Sequence, residues 1–126
     1  VVAEPGAACH LQLRIDADPA TMKPWALNLR QRLAKPVAKG TALTLTFRIR
    51  GSGIPQVFCA VEENREPYAK SIKGDVPVSG EWQTVTLSGT ALGDYPADGW
   101  KVAFNLAYGA GTIDIADVSL SAARAP

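Results

Sequence analysis

The chain has 126 residues, of which 47% are hydrophobic and 20% are charged. This length suits one folded domain, and the composition excludes a disordered chain. Thirteen Lys and Arg residues against twelve Asp and Glu leave a formal charge of +1, which disfavours nucleic acid as a partner. No apolar stretch has the length of a membrane helix, so we expect a soluble monomer that does not bind membranes.

The pattern along the chain predicts β-strands, because apolar and polar residues alternate with a period of two. Seven segments show this alternation or a β-branched and aromatic run: 11–15, 25–30, 43–50, 56–61, 82–87, 102–106 and 112–120. Turn residues such as Asp18-Pro19 and Gly109-Ala110-Gly111 separate them. Short strands at this spacing predict an all-β sandwich or jelly roll that requires no helix. We assign 1–126 to a single domain, with 1–8 and 121–126 as linker remnants.

Few residues could support catalysis. The only histidine, His10, follows Cys9 on a predicted strand, and adjacent strand residues point to opposite faces. Glu62 and Glu63 are also adjacent, so they could not flank a glycosidic bond from two sides of a cleft. We therefore predict that the chain is not an enzyme.

The two cysteines, Cys9 and Cys59, leave two alternatives open. Each lies in an apolar run, so one disulfide and two packed thiols are equally consistent with the sequence. Neither cysteine belongs to a CxxC motif, and the sequence contains no zinc-binding pattern.

Three stretches of the sequence resemble the carbohydrate-binding modules of families 4, 9 and 22. They are PWALNLRQ followed by KGTALTLTF at 24–31 and 39–47, GEWQT at 80–84, and GTIDIADVSL at 111–120. Their order and spacing carry the likeness, which spans roughly residues 9–120. The resemblance implies a galactose-binding-like β-sandwich jelly roll that binds glycan chains in a cleft across one sheet and has no catalytic activity.

The resemblance also assigns ligand-binding residues, position by position. These are Trp25, Asn28, Arg30, Phe58, Asn64, Tyr68, Lys101 and Asn105. Asparagine both donates and accepts hydrogen bonds with sugar hydroxyls, and aromatic rings stack on the C–H faces of sugars. Lys101 replaces the more usual amide, and the register leaves Gln31 as an alternative on its strand. Trp25 shares parity with Leu27 and Leu29, so a place in the core is the competing interpretation.

The implied function is a noncatalytic module that binds a β-linked polysaccharide of the β-glucan or xylan type. Such a module would target an attached glycoside hydrolase in a secreted bacterial protein. We expect no cofactor, and the family's structural calcium is doubtful because Ala116 replaces the first carboxylate before Asp117. The alternative is a structural or protein-interaction spacer of a secreted or cell-surface protein, in which these polar and aromatic residues would not converge.

Overall fold

The computed structural model describes residues 11–123, which form two four-stranded antiparallel sheets. The strands are β1 (Leu11–Asp16), β2 (Asn28–Arg32), β3 (Ala42–Ser52), β4 (Gln56–Glu63), β5 (Lys70–Pro77), β6 (Gln83–Thr90), β7 (Trp100–Asn105) and β8 (Ala110–Ala123). The first sheet has the order β1-β8-β3-β6, and the second has the order β2-β7-β4-β5. The predicted all-β sandwich jelly roll is confirmed. Within 11–123, no helix is long and apolar enough to cross a membrane.

The predicted strand at 25–30 begins too early. Pro24–Ala26 form a short 3-10 turn in which Ala26 N–H donates to Lys23 O at 2.9 Å, and β2 starts only at Asn28. Pro24 favours this turn because its ring fixes φ and it has no N–H to donate to a strand partner. Trp25 therefore lies on a turn, and its side chain does not follow the strand alternation of Leu27 and Leu29.

Sequence patterning missed β5, which pairs with β4. Ile72 and Val76 of β5 point into the core, but Gly74 occupies the inward position between them and interrupts the apolar alternation. A Cβ at Gly74 would lie 3.3 Å from the side chain of Leu87, so the glycine makes room for that leucine. Without a third apolar residue, the segment does not show a clear period of two.

The C-terminal boundary also needs correction. Strand β8 continues through Ala123, which pairs with Ala42 of β3, so residues 121–123 belong to the sheet and not to a linker. The proposed linker residues 1–8 and 124–126 lie outside the described residues, as do Cys9 and His10.

The core lies between the two sheets and is built from the inward residues of each strand. On β3, Leu43, Leu45, Phe47 and Ile49 are all at most 1% exposed, as the alternation at 43–50 predicts. Phe47 meets Phe104 of β7 edge to face, with ring centroids 5.1 Å apart. This contact joins the sheets and fixes which face of the second sheet points outward.

Gly111 marks a close approach between strands that tolerates no side chain. A Cβ at this position would lie 1.8 Å from Ser52 O, and backbone would have to move to admit it. We expect Gly111→Ala to lower the free energy of unfolding by about 1–3 kcal/mol in urea denaturation. Gly80→Ala is the control, because a Cβ there meets nothing within 4 Å. Equal stabilities of the two variants would contradict this expectation.

Candidate functional site

The outward face of the second sheet is organised in rows, because paired residues of antiparallel strands project to the same side. Across β2, β7 and β4, the first row holds Asn28, Asn105 and Phe58, the second Arg30, Ala103 and Ala60, and the third Arg32, Lys101 and Glu62. The intervening residues of β4 and β7, such as Cys59 and Phe104, belong to the core. The rows therefore lie on the side of the sheet that faces away from the sandwich.

A groove of about 620 Å³ runs across these rows. Seven of the eight predicted binding residues line it: Trp25, Asn28, Arg30, Phe58, Tyr68, Lys101 and Asn105. Sequence reasoning missed the remaining lining residues, which are Pro24, Glu62, Lys70 and Tyr108.

The middle row carries small side chains on β4 and β7. Ala60 and Ala103 are neighbours across β4 and β7, and both are at most 3% exposed although they lie outside the inter-sheet core cluster. In the first row, the Asn28 amide donates from Nδ2 to Oδ1 of Asn105 at 2.5 Å. This hydrogen bond orients both amides, and it leaves Oδ1 of Asn28 and Nδ2 of Asn105 available to a ligand.

Aromatic residues stand at both ends of the groove. Trp25 is 63% exposed on the 3-10 turn, so the interpretation that placed it in the core is wrong. Tyr108 lies at the same end, where Ala107 N–H donates to Pro24 O at 3.2 Å and joins the two segments. Burial and the charge of Asp75 raise the pKa of Tyr108 above its usual value, although a hydrogen bond with Gln56 opposes the shift.

Tyr68 stands at the opposite end, in the loop between β4 and β5. Its φ of 54° is unusual for an aromatic residue, and its backbone is held by Tyr68 N–H donating to Arg65 O at 2.7 Å. Nζ of Lys70 donates to Tyr68 O at 3.2 Å and pairs with Glu62 at 3.1 Å. Nζ of Lys101 lies 5.2 Å from the centroid of the Tyr68 ring, within cation–π range. The ring is therefore held in place while remaining 41% exposed.

Asn64 does not join the groove. Its Nδ2 donates to Asp98 O at 3.2 Å, and its backbone N–H donates to Gly99 O at 2.9 Å. These bonds tie the end of β4 to the loop before β7. Asn64 instead borders a smaller depression of about 340 Å³ beside Arg30, Gln31 and Arg32.

The residues that sequence reasoning missed come from segments without a clear pattern. Lys70 belongs to the unpredicted strand β5, and Tyr108 lies in the turn between β7 and β8. Glu62 was considered only as half of a catalytic pair with Glu63. The alternation along β4 could have identified Glu62, because Glu62 lies two residues after Ala60 and four after Phe58 and so shares their outward face.

The other chemically notable groups lie away from the groove. Cys59 is a buried free thiol in the core, where burial raises its pKa to about 12. Asp117 forms an ion pair with Arg48 at 3.5 Å on the first sheet. Between residues 11 and 123, no three His, Cys, Asp or Glu side chains are grouped so as to hold a metal ion.

Comparison with solved structures identifies proteins of similar fold. The N-terminal cellulose-binding domain of β-1,4-glucanase C from Cellulomonas fimi is 23% identical with a TM-score of 0.72, covering 93% of this chain and 80% of that domain. The second N-terminal cellulose-binding domain of the same glucanase is 29% identical with a TM-score of 0.64, covering 82% and 70%. A cyclase from Fischerella sp. is 19% identical with a TM-score of 0.59, covering 77% and 56%.

The sequence matches no family model and no curated protein, so the likeness is one of structure. The cyclase indicates that the fold by itself does not separate binding from catalysis. The two cellulose-binding domains are nevertheless described by their binding, and they cover 93% and 82% of this chain. The predicted resemblance is confirmed: this chain has the galactose-binding-like jelly-roll fold of the carbohydrate-binding modules of the family 4/9/22 type.

Proposed function

We propose that this chain is a noncatalytic carbohydrate-binding module that holds a β-linked polysaccharide of the β-glucan or xylan type in the groove. In its parent protein, it would concentrate an attached glycoside hydrolase on that polysaccharide outside the cell. The observation that carries the proposal is the convergence of amides and exposed aromatic rings on one sheet face of a carbohydrate-binding-module fold.

The arrangement suits a sugar chain, whose surface combines polar hydroxyl groups with apolar C–H faces. Asn28 and Asn105 offer a carbonyl acceptor and an amide donor at the first row, where hydroxyl groups could be bound. Trp25 and Tyr68 provide exposed rings toward the two ends, where the C–H faces of sugars could stack. The first and third rows are four residues apart on β7, about 13 Å along the strand, which is longer than one pyranose ring. We infer that the groove binds a chain segment.

The conformation of Tyr68 adds support. A positive φ in an aromatic residue costs about 1–3 kcal/mol, and such strain is concentrated at functional sites in proteins. The loop keeps the ring exposed at the groove, where it has no packing role in the core. A ligand-stacking role accounts for both features.

The spacer alternative predicts that Asn28, Asn64, Tyr68 and Asn105 do not converge. Three of these four residues line the same groove, and only Asn64 lies apart. The geometry therefore favours binding over spacing. Among the described residues that line the groove, Glu62 is the one carboxylate, and it pairs with Lys70 at 3.1 Å.

Titration calorimetry against soluble β-glucans and xylans tests the proposal. We expect measurable binding to at least one polymer, and we expect Asn28→Ala and Asn105→Ala each to weaken it by about three- to tenfold, the value of one or two hydrogen bonds. Asn64→Ala removes the same amide outside the groove lining and should keep the wild-type affinity. Absence of binding to every polymer would overturn the proposed function, and a loss confined to Asn64→Ala would overturn the site.

A further inference from the structure

The outward face of the second sheet carries an excess of positive charge that the chain as a whole does not. The rows, with β5 added, hold five basic residues and two acidic ones, a net charge of +3. The basic residues are Arg30, Arg32, Lys70, Lys73 and Lys101, and the acidic ones are Glu62 and Asp75. The whole chain has a net charge of +1, so all its other residues sum to −2. The charge is therefore concentrated on the face that contains the groove.

Two arginines of the other sheet form ion pairs within the fold. Arg50 pairs with Asp114 at 2.8 Å, and Arg48 pairs with Asp117 at 3.5 Å. On the groove face, Lys70 pairs with Glu62, but Arg30 and Lys101 form no ion pair with any residue in the described range 11–123. Arg30 and Lys101 thus line the groove without an ion-pair partner in that part of the chain, while Glu62, which lies beside Lys101 in the third row, pairs with Lys70.

Lys101 is an unusual residue to find in this position. It is only 5% exposed, yet it lines the groove and its Nζ rests over the Tyr68 ring at 5.2 Å. Burying an ammonium group costs free energy unless an opposite charge compensates it. The tyrosine ring supplies part of that compensation, but a ligand carboxylate would supply far more.

We propose that the groove selects a β-linked glycan that carries uronate carboxylates, bound by Lys101 and Arg30. This inference rests on the proposed function and specifies its ligand. Arg30 lies in the middle row beside Ala103, and Lys101 lies in the third row on the neighbouring strand, so the two cations stand one row apart along the groove. The planar guanidinium of Arg30 can bind a carboxylate through two parallel hydrogen bonds, and Lys101 provides a charge deeper in the groove.

The test compares glucuronoxylan with the same polymer after reduction of its carboxylates to alcohols. By titration calorimetry at low salt, we expect about tenfold weaker binding to the reduced polymer, the effect of one charge-assisted hydrogen bond. Raising NaCl from about 50 to about 500 mM should weaken binding to glucuronoxylan and leave the reduced polymer nearly unaffected, because salt screens the charge pairs.

Variants connect the preference to the two residues. Arg30→Gln and Lys101→Met should each reduce the ratio of the affinity for glucuronoxylan to that for the reduced polymer to less than about threefold. Arg14→Gln removes an equal charge from the exposed face of β1 and should keep the full preference. Arg30 lies on an exposed edge strand, so its variant remains informative if burial makes Lys101→Met unstable.

The outcomes separate this inference from the proposed function. Equal binding to both polymers would overturn uronate selection and leave a neutral-glycan module intact. Binding to neither of these polymers nor to any neutral glycan would overturn the proposed function itself. A preference that survives in both Arg30→Gln and Lys101→Met would show that the carboxylate is bound elsewhere, which also overturns the inference.

Discussion

Trp25→Ala should weaken glycan binding by about tenfold or more while leaving the fold intact. The indole ring is 63% exposed on the turn beside the groove, so its removal costs the core nothing and deprives a sugar of its stacking surface. Replacing a tryptophan by alanine is among the most costly substitutions in binding sites, and a tenfold loss of affinity corresponds to about 1.4 kcal/mol. Calorimetry measures the affinity, and thermal unfolding should give a midpoint close to that of the wild type.

Trp82→Ala is the matched control for this loss. It removes the same ring just before β6 of the first sheet, where the centroid of the Trp82 ring lies 4.9 Å from the guanidinium carbon of Arg48 and 4.5 Å from that of Arg50. We expect it to reduce stability and to leave glycan affinity unchanged. If Trp25→Ala binds as tightly as the wild type and Trp82→Ala does not, the glycan lies on the first sheet and our site is misplaced.

Phe47→Ala should produce the largest loss of stability, about 3–5 kcal/mol in urea unfolding. Phe47 has no exposed surface and meets Phe104 across the two sheets, so its truncation leaves a cavity at the centre of the sandwich. Intrinsic tryptophan fluorescence can follow the transition. Leu92→Ala is the control, since Leu92 is 52% exposed and should change the free energy of unfolding by less than about 0.5 kcal/mol.

A loss below about 1.5 kcal/mol for Phe47→Ala would mean that neighbouring side chains fill the space. That result would contradict the close-packed contact between β3 and β7. The Phe104→Ala variant and the double variant would then show whether the two rings are coupled. If they are, the double variant loses less free energy of unfolding than the sum of the losses in the two single variants.

The strands that the sequence predicted best are those with both an inward apolar set and an outward polar set. At 43–50, alternation predicted which residues enter the core, and the structure confirms it for Leu43, Leu45, Phe47 and Ile49. The sequence pattern misplaced or missed a strand where a proline or a glycine interrupts the alternation. Pro24 replaces the start of a strand with a turn. Gly74 interrupts the apolar alternation of β5 at a position where a Cβ would lie 3.3 Å from the side chain of Leu87.

The candidate site was predicted for a different reason. Asn28, Lys101 and Asn105 could be selected because strand parity, combined with the family resemblance, places them on one outward face. Asn64 could not be excluded in the same way, because its loop position has no periodicity. Only the folded chain pairs it with Asp98 O, 34 residues away, and removes it from the groove lining.

The sequence by itself determined the sandwich class, most of the strands and the parity of most groove residues, because a period of two is a local property of the chain. Tertiary structure alone decided which strands become neighbours. It set Asn28 beside Asn105, brought Tyr108 and Lys70 to the groove, and placed Nζ of Lys101 against the face of the Tyr68 ring. These contacts depend on strand order and register, which join residues far apart in the chain and leave no mark in the local pattern.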